Sequence, residues 1–392
     1  MADTRLPPIS SPPSPERIEK ILSATYATPV TVRAVDRVEP WFVLRCHLSS
    51  PVADVPPTVV VKWLRDTAGG VRTDPVQLLT EQAALEFLAD VDPDLAPALV
   101  AADTAGADPR NGFLVFEDAA PREPLRSILL RDGPRPAAPL LTAFARSLAH
   151  LHAGTLGRAD AYYDRRLRLG PVDRQTDIER FLGKWRTGVG HMSDAGVAMP
   201  AAATRELAGI TADIADPGPF LAFSNGDAGV NNYLVDSRAG GEADGRLIDF
   251  EAAGFRHAVT DLVNDLYVPG SMWLTVGDPM TNGVEKAYRE ALAPAVPEVA
   301  DDRWFGRTLA GAGFVFVACR LANLPKIDDR PFGNHSRLHR VTTLEAAADT
   351  AERHRVLPHL TGWARAAAAT LRRRWPDTDI DLTTLGPYTA RE

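Results

Sequence analysis

The stretch FSNGDAGVNN at residues 223–232 places a carboxylate, Asp227, five residues before an amide, Asn232. An apolar, strand-like run at 219–223 leads into it, and its own Ser, Asn, Gly and Asp residues favour a turn. Because Asp and Asn are common in turns, this pair alone is weak evidence for a site. The sequences before and after it decide whether the loop carries chemistry.

A second strand-like run at 245–250 ends in Ile248-Asp249-Phe250, and Asp261-Leu262 follows. Asp249 therefore stands at the end of a strand, as Asp227 stands just after one. Two loops that each place a carboxylate after a strand predict one site with several acidic groups. Carboxylate and carboxamide oxygens are the ligands that Mg²⁺ prefers.

This order of motifs resembles the aminoglycoside phosphotransferase and choline kinase family of small-molecule kinases, which have a protein-kinase-like fold. The family pattern has His-Gly-Asp, an Asn five residues later, Ile-Asp-Phe or Ile-Asp-Trp, and then Asp-Leu. The resemblance covers roughly residues 28–270 and is carried by Asn225-Gly226-Asp227, Asn232, Ile248-Asp249-Phe250 and Asp261-Leu262.

The distribution of secondary-structure patterns predicts an α+β fold with a small β-rich N-terminal lobe and a larger, mainly helical C-terminal lobe. We expect a flexible tail at 1–13, a nucleotide-binding lobe at 14–118, and a helical lobe at 119–392 that carries the catalytic loop and an acceptor pocket. A cleft between the lobes is the expected ligand site. Helical patterns in the later part of the chain include 174–191 and 258–268.

Bulk composition excludes several classes of protein. A formal charge of −8 over 392 residues argues against general nucleic-acid binding. Two cysteines, Cys46 and Cys319, do not make a disulfide framework. The N-terminus has no secretory pattern, and no apolar run is long enough to span a bilayer. We therefore expect a cytoplasmic protein without a membrane partner. We expect it to be a monomer or a homodimer.

The resemblance assigns roles to the acidic loop residues. Asp227 would accept the proton of an attacking hydroxyl and orient that group, while Asn232 and Asp249 would bind Mg²⁺ and serve the transfer of phosphate from ATP. The residue before Gly226 is Asn225, where the family has a His that acts mainly as scaffold. An Asn can replace a scaffold more easily than a proton-transfer group, but a disabled loop is the alternative.

A kinase-like fold needs a strand lysine for the α- and β-phosphates and a helix carboxylate to position it. Lys62 lies in the strand-like TVVVKWLR, and the chain has five lysines in all. Glu81 lies on an apolar helical stripe and is the preferred partner, with Glu86 on a polar face as the alternative. Backbone groups from Glu117 to Ala119 are expected at the purine edge, and ATP is not distinguished from GTP.

The loop expected to cover the nucleotide, RVEPWFVL at 37–44, contains no glycine, although close approach to phosphates favours small residues. Gly226 replaces the Arg of protein kinases. Only eleven residues separate Asp249 from Asp261, which is too short for a peptide-presenting segment. These features together indicate a small-molecule acceptor.

Four polar residues are candidates for the acceptor side. Two carboxylates, Glu251 and Asp265, would suit an amine or aminoglycoside, or they are surface charges. Arg320 and Asn323 are polar residues in an apolar helical run, and they either face the pocket or make core contacts.

The sequence thus predicts an ATP-dependent O-phosphotransferase for a hydroxyl group of a small molecule, such as an aminoglycoside-like antibiotic, an amino alcohol or a sugar. The alternative is a catalytically impaired, pseudokinase-like module that binds a nucleotide or another ligand.

Overall fold

A computed structural model describes residues 12–38, 43–64, 74–104, 109–236 and 244–391 of the chain. By its internal contacts the chain divides into two units. Unit 1 comprises the described residues up to Pro121 together with 160–172 and 246–253, and unit 2 comprises the rest. Two later segments of the chain thus belong to the first unit.

Unit 1 is built on an antiparallel sheet of five strands in the order β1-β2-β3-β5-β4. The strands are β1 (Thr31–Val38), β2 (Val43–Ser49), β3 (Thr58–Trp63), β4 (Leu99–Asp103) and β5 (Phe113–Glu117). Strand β3 lies in the middle of the sheet, with Val61 opposite Leu44 of β2 and opposite Val115 of β5. Its apolar side chains join a buried core with Cys46.

Three helices belong wholly or largely to unit 1: α1 (Pro15–Thr25), α2 (Pro75–Ala89) and α5 (Ala159–Leu169). The start of α2 follows its sequence signals. Asp74 accepts a hydrogen bond from the Val76 N–H, Gln77 caps the Asp74 N–H, and Pro75 takes the first helical position. The residues Asp74, Pro75 and Gln77 therefore determine locally where α2 begins.

Unit 2 is mainly helical. Its helices are α3 (Leu125–Asp132), α4 (Pro134–Thr155), α6 (Arg174–Glu179), α7 (Trp185–Asp194), α8 (Ala201–Ala215), α9 (Val284–Leu292), α10 (Asp302–Leu321), α11 (Leu324–Asp328), α12 (His335–His354) and α13 (Pro358–Arg374). The long helix α10 is almost entirely buried and packs against α7 and α12. Arg320 is in its last turn.

The remaining strands are short: β6 (Glu123–Pro124), β7 (Leu221–Ser224), β8 (Tyr233–Val235), β9 (Gly245–Leu247) and β10 (Gly254–His257). In unit 2, β7 pairs antiparallel with β10, and β6 pairs antiparallel with β8. The loop that follows β7 is thereby held between two strands that are fixed by pairing.

Two helix predictions are wrong. Residues 258–268 contain only a 3₁₀ turn, Ala258–Leu262, because Asp265 has a left-handed φ of 65° that an α-helix cannot contain. The pattern at 174–191 gives two helices, α6 and α7, with hydrogen-bonded turns between them. Gly183 in that interval is a poor helix former.

The predicted α+β fold, with a β-rich first part and a mainly helical remainder, is confirmed. Most of the tail predicted at 1–13 and the centre of the glycine-free loop at 37–44 lie outside the described residues. In the part of the chain that the structure describes, no helix is long and apolar enough to cross a membrane.

Candidate active site

A buried lysine and three carboxylates meet in unit 1. We call this group the lysine cluster; it consists of Lys62, Glu81, Asp249 and Glu251. Side chains alternate between the two faces of a strand, so Lys62 projects from the face of β3 opposite to Val61 and Trp63, which enter the apolar core. Lys62 is only 5% exposed. A cation at this depth requires anionic partners.

Lys62 has three such partners. Its Nζ lies 2.6 Å from Glu81 Oε2 and 3.1 Å from Glu251 Oε2, and it also donates a hydrogen bond to Asp249 Oδ1. The cluster combines one positive charge with three negative charges when all four groups are ionised. It therefore carries an excess of negative charge that a divalent cation would neutralise.

Helix α2 supplies Glu81 from its inner face. Glu81 is 3% exposed, and its Oε1 accepts a hydrogen bond of 3.2 Å from the Phe250 N–H. Glu86, the alternative partner, is exposed and accepts instead from Gln82 at 2.9 Å. The structure thus places Glu81, and not Glu86, against the lysine.

Asp249 lies two residues after the end of β9 and has a left-handed φ of 65°. This conformation is uncommon for a residue with a side chain, although Asp tolerates it better than most. Strained backbone of this kind is found at functional sites, where surrounding contacts hold it. Here the Phe250 N–H is held by Glu81, so the strand end and α2 are joined through the residue next to Asp249.

Glu251 differs from the sequence expectation. The sequence predicts it on the acceptor side with Asp265, whereas it contacts Lys62 Nζ and accepts a long hydrogen bond of 3.5 Å from Gln77. The sequence places it two residues beyond Asp249, and the backbone after the left-handed residue brings both side chains to the same lysine. Glu251 is therefore part of the lysine cluster.

The lysine cluster fits a hard metal ion. Glu81, Asp249 and Glu251 each offer an oxygen, and these three atoms lie within 4.8 Å of one another. Oxygen atoms are the donors that Mg²⁺ prefers. The donor set is compatible with the predicted metal role of Asp249 and adds two carboxylates that the sequence prediction did not include.

The segment expected at the purine edge follows β5. The Glu117 N–H donates to the Ala98 carbonyl at 2.9 Å, and the Glu117 carboxylate accepts from the Ala98 N–H at 3.1 Å. The Glu117 N–H is thus used inside the protein, and the role of this segment at the purine edge stays a prediction. Ala119 is buried two residues later.

Asp118 steadies this segment and was not singled out from the sequence. It accepts hydrogen bonds from Arg45 Nε at 2.7 Å and from the Ala120 N–H at 3.2 Å. Burial opposes ionisation of this carboxyl, but the hydrogen bonds from Arg45 and Ala120 bring its pKa below the usual range. Its charged form therefore fixes the chain after Glu117.

The catalytic-loop candidates lie in unit 2. Asp227 is exposed and Asn232 is buried, and the Asn232 Nδ2 donates to the Asp227 carbonyl at 2.9 Å and to its Oδ2 at 3.3 Å. Asn231 donates to the Asn232 Oδ1 at 2.8 Å. The five-residue spacing thus closes a loop in which the amide of Asn232 orients the Asp227 carboxylate.

Asp261 braces this loop from the 3₁₀ turn after β10. Ser224 donates to Asp261 Oδ1 at 2.7 Å, and the Gly226 N–H donates to Ser224 Oγ at 2.9 Å. On the other carboxylate oxygen, His152 Nε2 donates at 3.2 Å while its Nδ1 accepts from Tyr288 at 2.9 Å. All of these groups except Gly226 are buried, so the network holds the loop at a fixed position.

Asn225, which replaces the family's His, is 1% exposed. Its Oδ1 accepts a hydrogen bond of 3.2 Å from the Asp227 N–H. Gly226 between them has a φ of 85°, a conformation that glycine adopts without steric cost. Asn225 is thus in direct contact with the backbone of Asp227 and shapes the turn that presents it.

Asp265 holds the same loop from a second direction. It is 1% exposed, its Oδ2 accepts from the Val230 N–H at 3.1 Å, and its Oδ1 accepts from the Gly270 N–H at 3.0 Å. Burial raises the pKa of this carboxyl to about 6, in opposition to the hydrogen bond from Val230. Both oxygens are therefore used within the protein, which was not expected of an acceptor-binding group.

The two remaining acceptor candidates have different surroundings. Asn323 is exposed just before α11 and makes no capping hydrogen bond with its side chain. Arg320 is largely enclosed, with its guanidinium carbon 4.4 Å from the centre of the Phe316 ring. Burial lowers the pKa of Arg320, while the charges of Asp265 and Asp227 raise it.

A cavity of about 200 Å³ adjoins Asp227 within unit 2. Its lining includes Phe181 and Phe316, whose rings stack with centroids 6.4 Å apart, and also Arg180, Arg256, Asn264 and Cys319. Ligand pockets for drug-sized molecules usually measure about 300–1,000 Å³. This cavity therefore suits a small group beside the proposed base.

The sequence prediction missed Ser224, Arg180, Arg256 and Asn264 as neighbours of the loop. Ser224 directly precedes Asn225 at the end of a strand, where its hydroxyl could have been considered as a cap for the turn. The other three come from separate segments and carry no local pattern that points to Asp227.

No protein-family model matches the sequence, and no similar sequence is found among curated proteins. The structure is similar to solved structures of aminoglycoside phosphotransferases and of choline or ethanolamine kinases.

One such structure is a GDP complex of a variant of aminoglycoside 2′-phosphotransferase-IIIa, with 12% sequence identity, a TM-score of 0.47, and coverage of 87% of this chain and 98% of that chain. A candidate aminoglycoside phosphotransferase from Ralstonia eutropha JMP134 has 14% identity, a TM-score of 0.48, and coverage of 88% and 93%. A choline/ethanolamine kinase family protein from Mesorhizobium loti has 15% identity, a TM-score of 0.46, and coverage of 85% and 92%.

Proposed function

We propose that this protein is an ATP-dependent O-phosphotransferase that acts on a hydroxyl group of a small molecule. The observation that carries the proposal is the lysine cluster, in which a buried strand lysine meets a helix glutamate and a strand-end aspartate. Lys62, Glu81 and Asp249 come from distant parts of the sequence, and phosphoryl transfer requires this combination of a phosphate-binding cation and metal-binding oxygens.

In this proposal Lys62 binds the α- and β-phosphates, and Glu81 positions its ammonium group. Asp249 and Asn232 bind Mg²⁺, which neutralises charge on the triphosphate when it is bound. Glu251 is close enough to Lys62 to contribute to the same site. Ala119 and the Glu117 carbonyl are the proposed contacts for the base.

Asp227 is the proposed base. It is exposed, and both its backbone and its carboxylate are oriented by Asn232. The acceptor oxygen would bond to the γ-phosphorus as the bond between that phosphorus and the bridging oxygen of ADP breaks, and Asp227 would take the hydroxyl proton. The bracing of the loop by Ser224 and Asp261 supports a positioning role of this kind.

The experiment has a binding step and a turnover step. Thermal unfolding of the full chain is measured with ATP or GTP, each with and without Mg²⁺, for wild type and Lys62→Met. We expect Mg²⁺-dependent stabilisation by nucleotide that is strongly reduced in Lys62→Met. A panel of small alcohols, sugars, hydroxy acids and amino alcohols is then tested for phosphorylated product.

A binding module is the competing function, and the same experiment separates the two. Nucleotide binding that is independent of metal, together with no phosphorylated product from any acceptor, would refute the proposed transferase. Product formation that is lost in Asp227→Ala would refute the binding-module alternative.

A further inference from the structure

Three arginines of unit 2 form a group that the proposed phosphoryl transfer does not use. We call Arg320, Arg340 and Arg391 the arginine group. Arg320 is in the last turn of α10 and Arg340 is on α12, two helices that pack against one another. Arg391 is fixed by its N–H, which donates to the Met272 carbonyl at 2.9 Å. Arg340 is only 7% exposed.

No carboxylate in the described part of the chain forms an ion pair with Arg320 or Arg340, and the Nε of each is buried without a hydrogen-bond partner. Arg340 donates to a neutral acceptor, His339 Nδ1, at 2.9 Å. Other arginines of the same unit are paired: Arg337 with Asp377, and Arg372 with Glu345.

The burial and mutual proximity of these cations lower the pKa values of Arg340 and His339. Burial, and then the charges of Arg320 and Arg391, lower the pKa of Arg340 to about 9. Burial, and then the charges of Arg340, Arg320 and Arg391, lower the pKa of His339 to about 3, so that its imidazole is neutral and can accept from Arg340. A buried cation without a counter-ion is costly, and a bound anion would remove that cost.

Hydrogen bonds link the arginine group to the loop that carries Asp227. Arg340 donates to His339, whose Nε2 donates to the Gly270 carbonyl at 2.7 Å. The Gly270 N–H donates to Asp265 Oδ1, and Asp265 Oδ2 accepts from the Val230 N–H. An anion held by these arginines would therefore lie in a region connected to the catalytic-loop candidates.

Arg320 provides a second connection. Its guanidinium stacks on Phe316, and Phe316 lines the cavity of about 200 Å³ beside Asp227. The charge of Asp227 also acts on Arg320. Arg320 therefore lies behind one wall of the cavity whose lining includes the proposed base.

We propose that Arg320 and Arg340 bind an oxyanionic group, a carboxylate or a phosphate, on the acceptor whose hydroxyl is phosphorylated. This inference rests on the proposed function and narrows it to small anionic hydroxyl compounds. It replaces the amine-type acceptor that Glu251 and Asp265 suggested, because those carboxylates are engaged with Lys62 and with backbone N–H groups. Guanidinium groups bind carboxylate and phosphate with paired, charge-assisted hydrogen bonds.

The first experiment compares acceptors that differ in one charge, with Mg-ATP and the full chain. The pairs are 4-hydroxybutyrate and 4-hydroxybutyramide, and glycerol 3-phosphate and glycerol, with choline and kanamycin as cationic members. We expect kcat/KM about 10- to 100-fold higher for the anion in at least one pair. A higher kcat/KM for 4-hydroxybutyrate than for its amide would indicate a carboxylate site, and a higher kcat/KM for glycerol 3-phosphate than for glycerol would indicate a phosphate site.

The second experiment uses Arg340→Met and Arg320→Met. For the preferred anionic acceptor we expect KM to rise about 10- to 100-fold, with the KM for ATP within about twofold of wild type. Arg307→Gln is the matched control, since Arg307 is on α10 with Arg320 but pairs with Asp213 at 2.5 Å. It should leave both KM values unchanged.

A third measurement separates ligand binding from a structural role. Thermal unfolding is followed in sodium phosphate and in sodium 4-hydroxybutyrate against sodium chloride at equal ionic strength. We expect one of the two oxyanions to raise the unfolding temperature of wild type and to have no effect on Arg340→Met. Without oxyanion, Arg340→Met should be as stable as wild type or more so, whereas Arg337→Met should be less stable because it breaks the pair with Asp377.

The outcomes keep the two proposals apart. Faster phosphorylation of uncharged or cationic acceptors overturns the anion inference and leaves the transferase intact. Absence of product with every acceptor counts against the transferase, and oxyanion stabilisation that requires Arg340 would still support the anion site. Equal stabilisation of wild type and Arg340→Met by oxyanions, or a large loss of stability in Arg340→Met, overturns the anion site.

Discussion

The Nζ of Lys62 on β3 lies 2.6 Å from Oε2 of Glu81 on α2, and both side chains are buried. The ion pair fixes the ammonium group within a cluster that also contains Asp249 and Glu251. Breaking a buried pair by removal of one partner leaves the other without compensation. Glu81 therefore determines where the proposed phosphate-binding cation is held.

Replacement of Glu81 tests this relationship. In Glu81→Gln we expect kcat/KM for ATP to fall about 10- to 100-fold, because the amide holds the Lys62 ammonium more weakly. The matched control is Glu86→Gln on the same helix, where Glu86 is exposed and contacts Gln82. Steady-state kinetics in which the two variants behave alike would contradict the assigned role of Glu81.

The brace on the catalytic loop makes a separate prediction about stability. Ser224→Ala removes a hydroxyl that links the Gly226 N–H to Asp261 Oδ1. We expect the free energy of unfolding to fall by about 1–3 kcal/mol, because the buried Asp261 carboxylate and the half-buried Gly226 N–H lose their partner. Urea unfolding measures this change, and kcat should fall as well because Asp227 is less well positioned. Ser193→Ala, at an exposed residue of α7, should change neither quantity.

Asn225 is the departure from the family pattern, and its contact with the Asp227 N–H predicts a defined effect. Asn225→Ala removes the acceptor and should lower kcat about tenfold, consistent with one lost hydrogen bond at a buried position. Asn225→Asp retains an acceptor oxygen and should keep more activity than Asn225→Ala. The opposite order would show that Asn225 acts through its N–H groups rather than through Oδ1.

Some of the structural features behind these predictions can be predicted from the sequence, and others cannot. The α+β division and the start of α2 follow from local patterns, namely strand-forming runs and a capping box at Asp74. The choice of Glu81 over Glu86 followed from which helix face is apolar. These inferences succeed because apolar residues recur at the period of the helix or strand on the face that is buried.

The positions of Glu251, Asp265 and Arg340 could not be read in the same way. Glu251 turns toward Lys62 after the left-handed residue Asp249, and a second left-handed residue, Asp265, ends the predicted helix at 258–268. Non-glycine residues with positive φ have no reliable sequence signal. The arginine group arises from the packing of α10 against α12, a tertiary contact that a single sequence does not encode locally.

The buried carboxyl of Asp265 predicts a dependence of stability on pH. Its pKa is raised from 3.8 to about 6, so the folded state binds this proton more tightly than the unfolded chain does. The contribution of Asp265 therefore favours folding most at pH below about 4 and is lost as the pH rises to about 6, a change of about 3 kcal/mol.

Asp265→Asn removes this titration. The difference in free energy of unfolding between wild type and Asp265→Asn should shift in favour of the variant between pH 4 and pH 7, and should be constant above pH 7. Urea unfolding of both proteins without nucleotide or metal, at several pH values, measures the difference. Parallel pH profiles would show that Asp265 titrates normally in the folded state.

The most direct test of the account is transfer of the γ-phosphoryl group from Mg-ATP to a small hydroxyl acceptor by wild type and by Asp227→Asn. The variant retains a side chain of the same shape beside Asn232 and loses the ability to take a proton. We predict that kcat falls about 10²- to 10⁴-fold while nucleotide-induced thermal stabilisation is retained. Equal rates of product formation by the two proteins would contradict the claim that Asp227 is the base of a phosphotransferase.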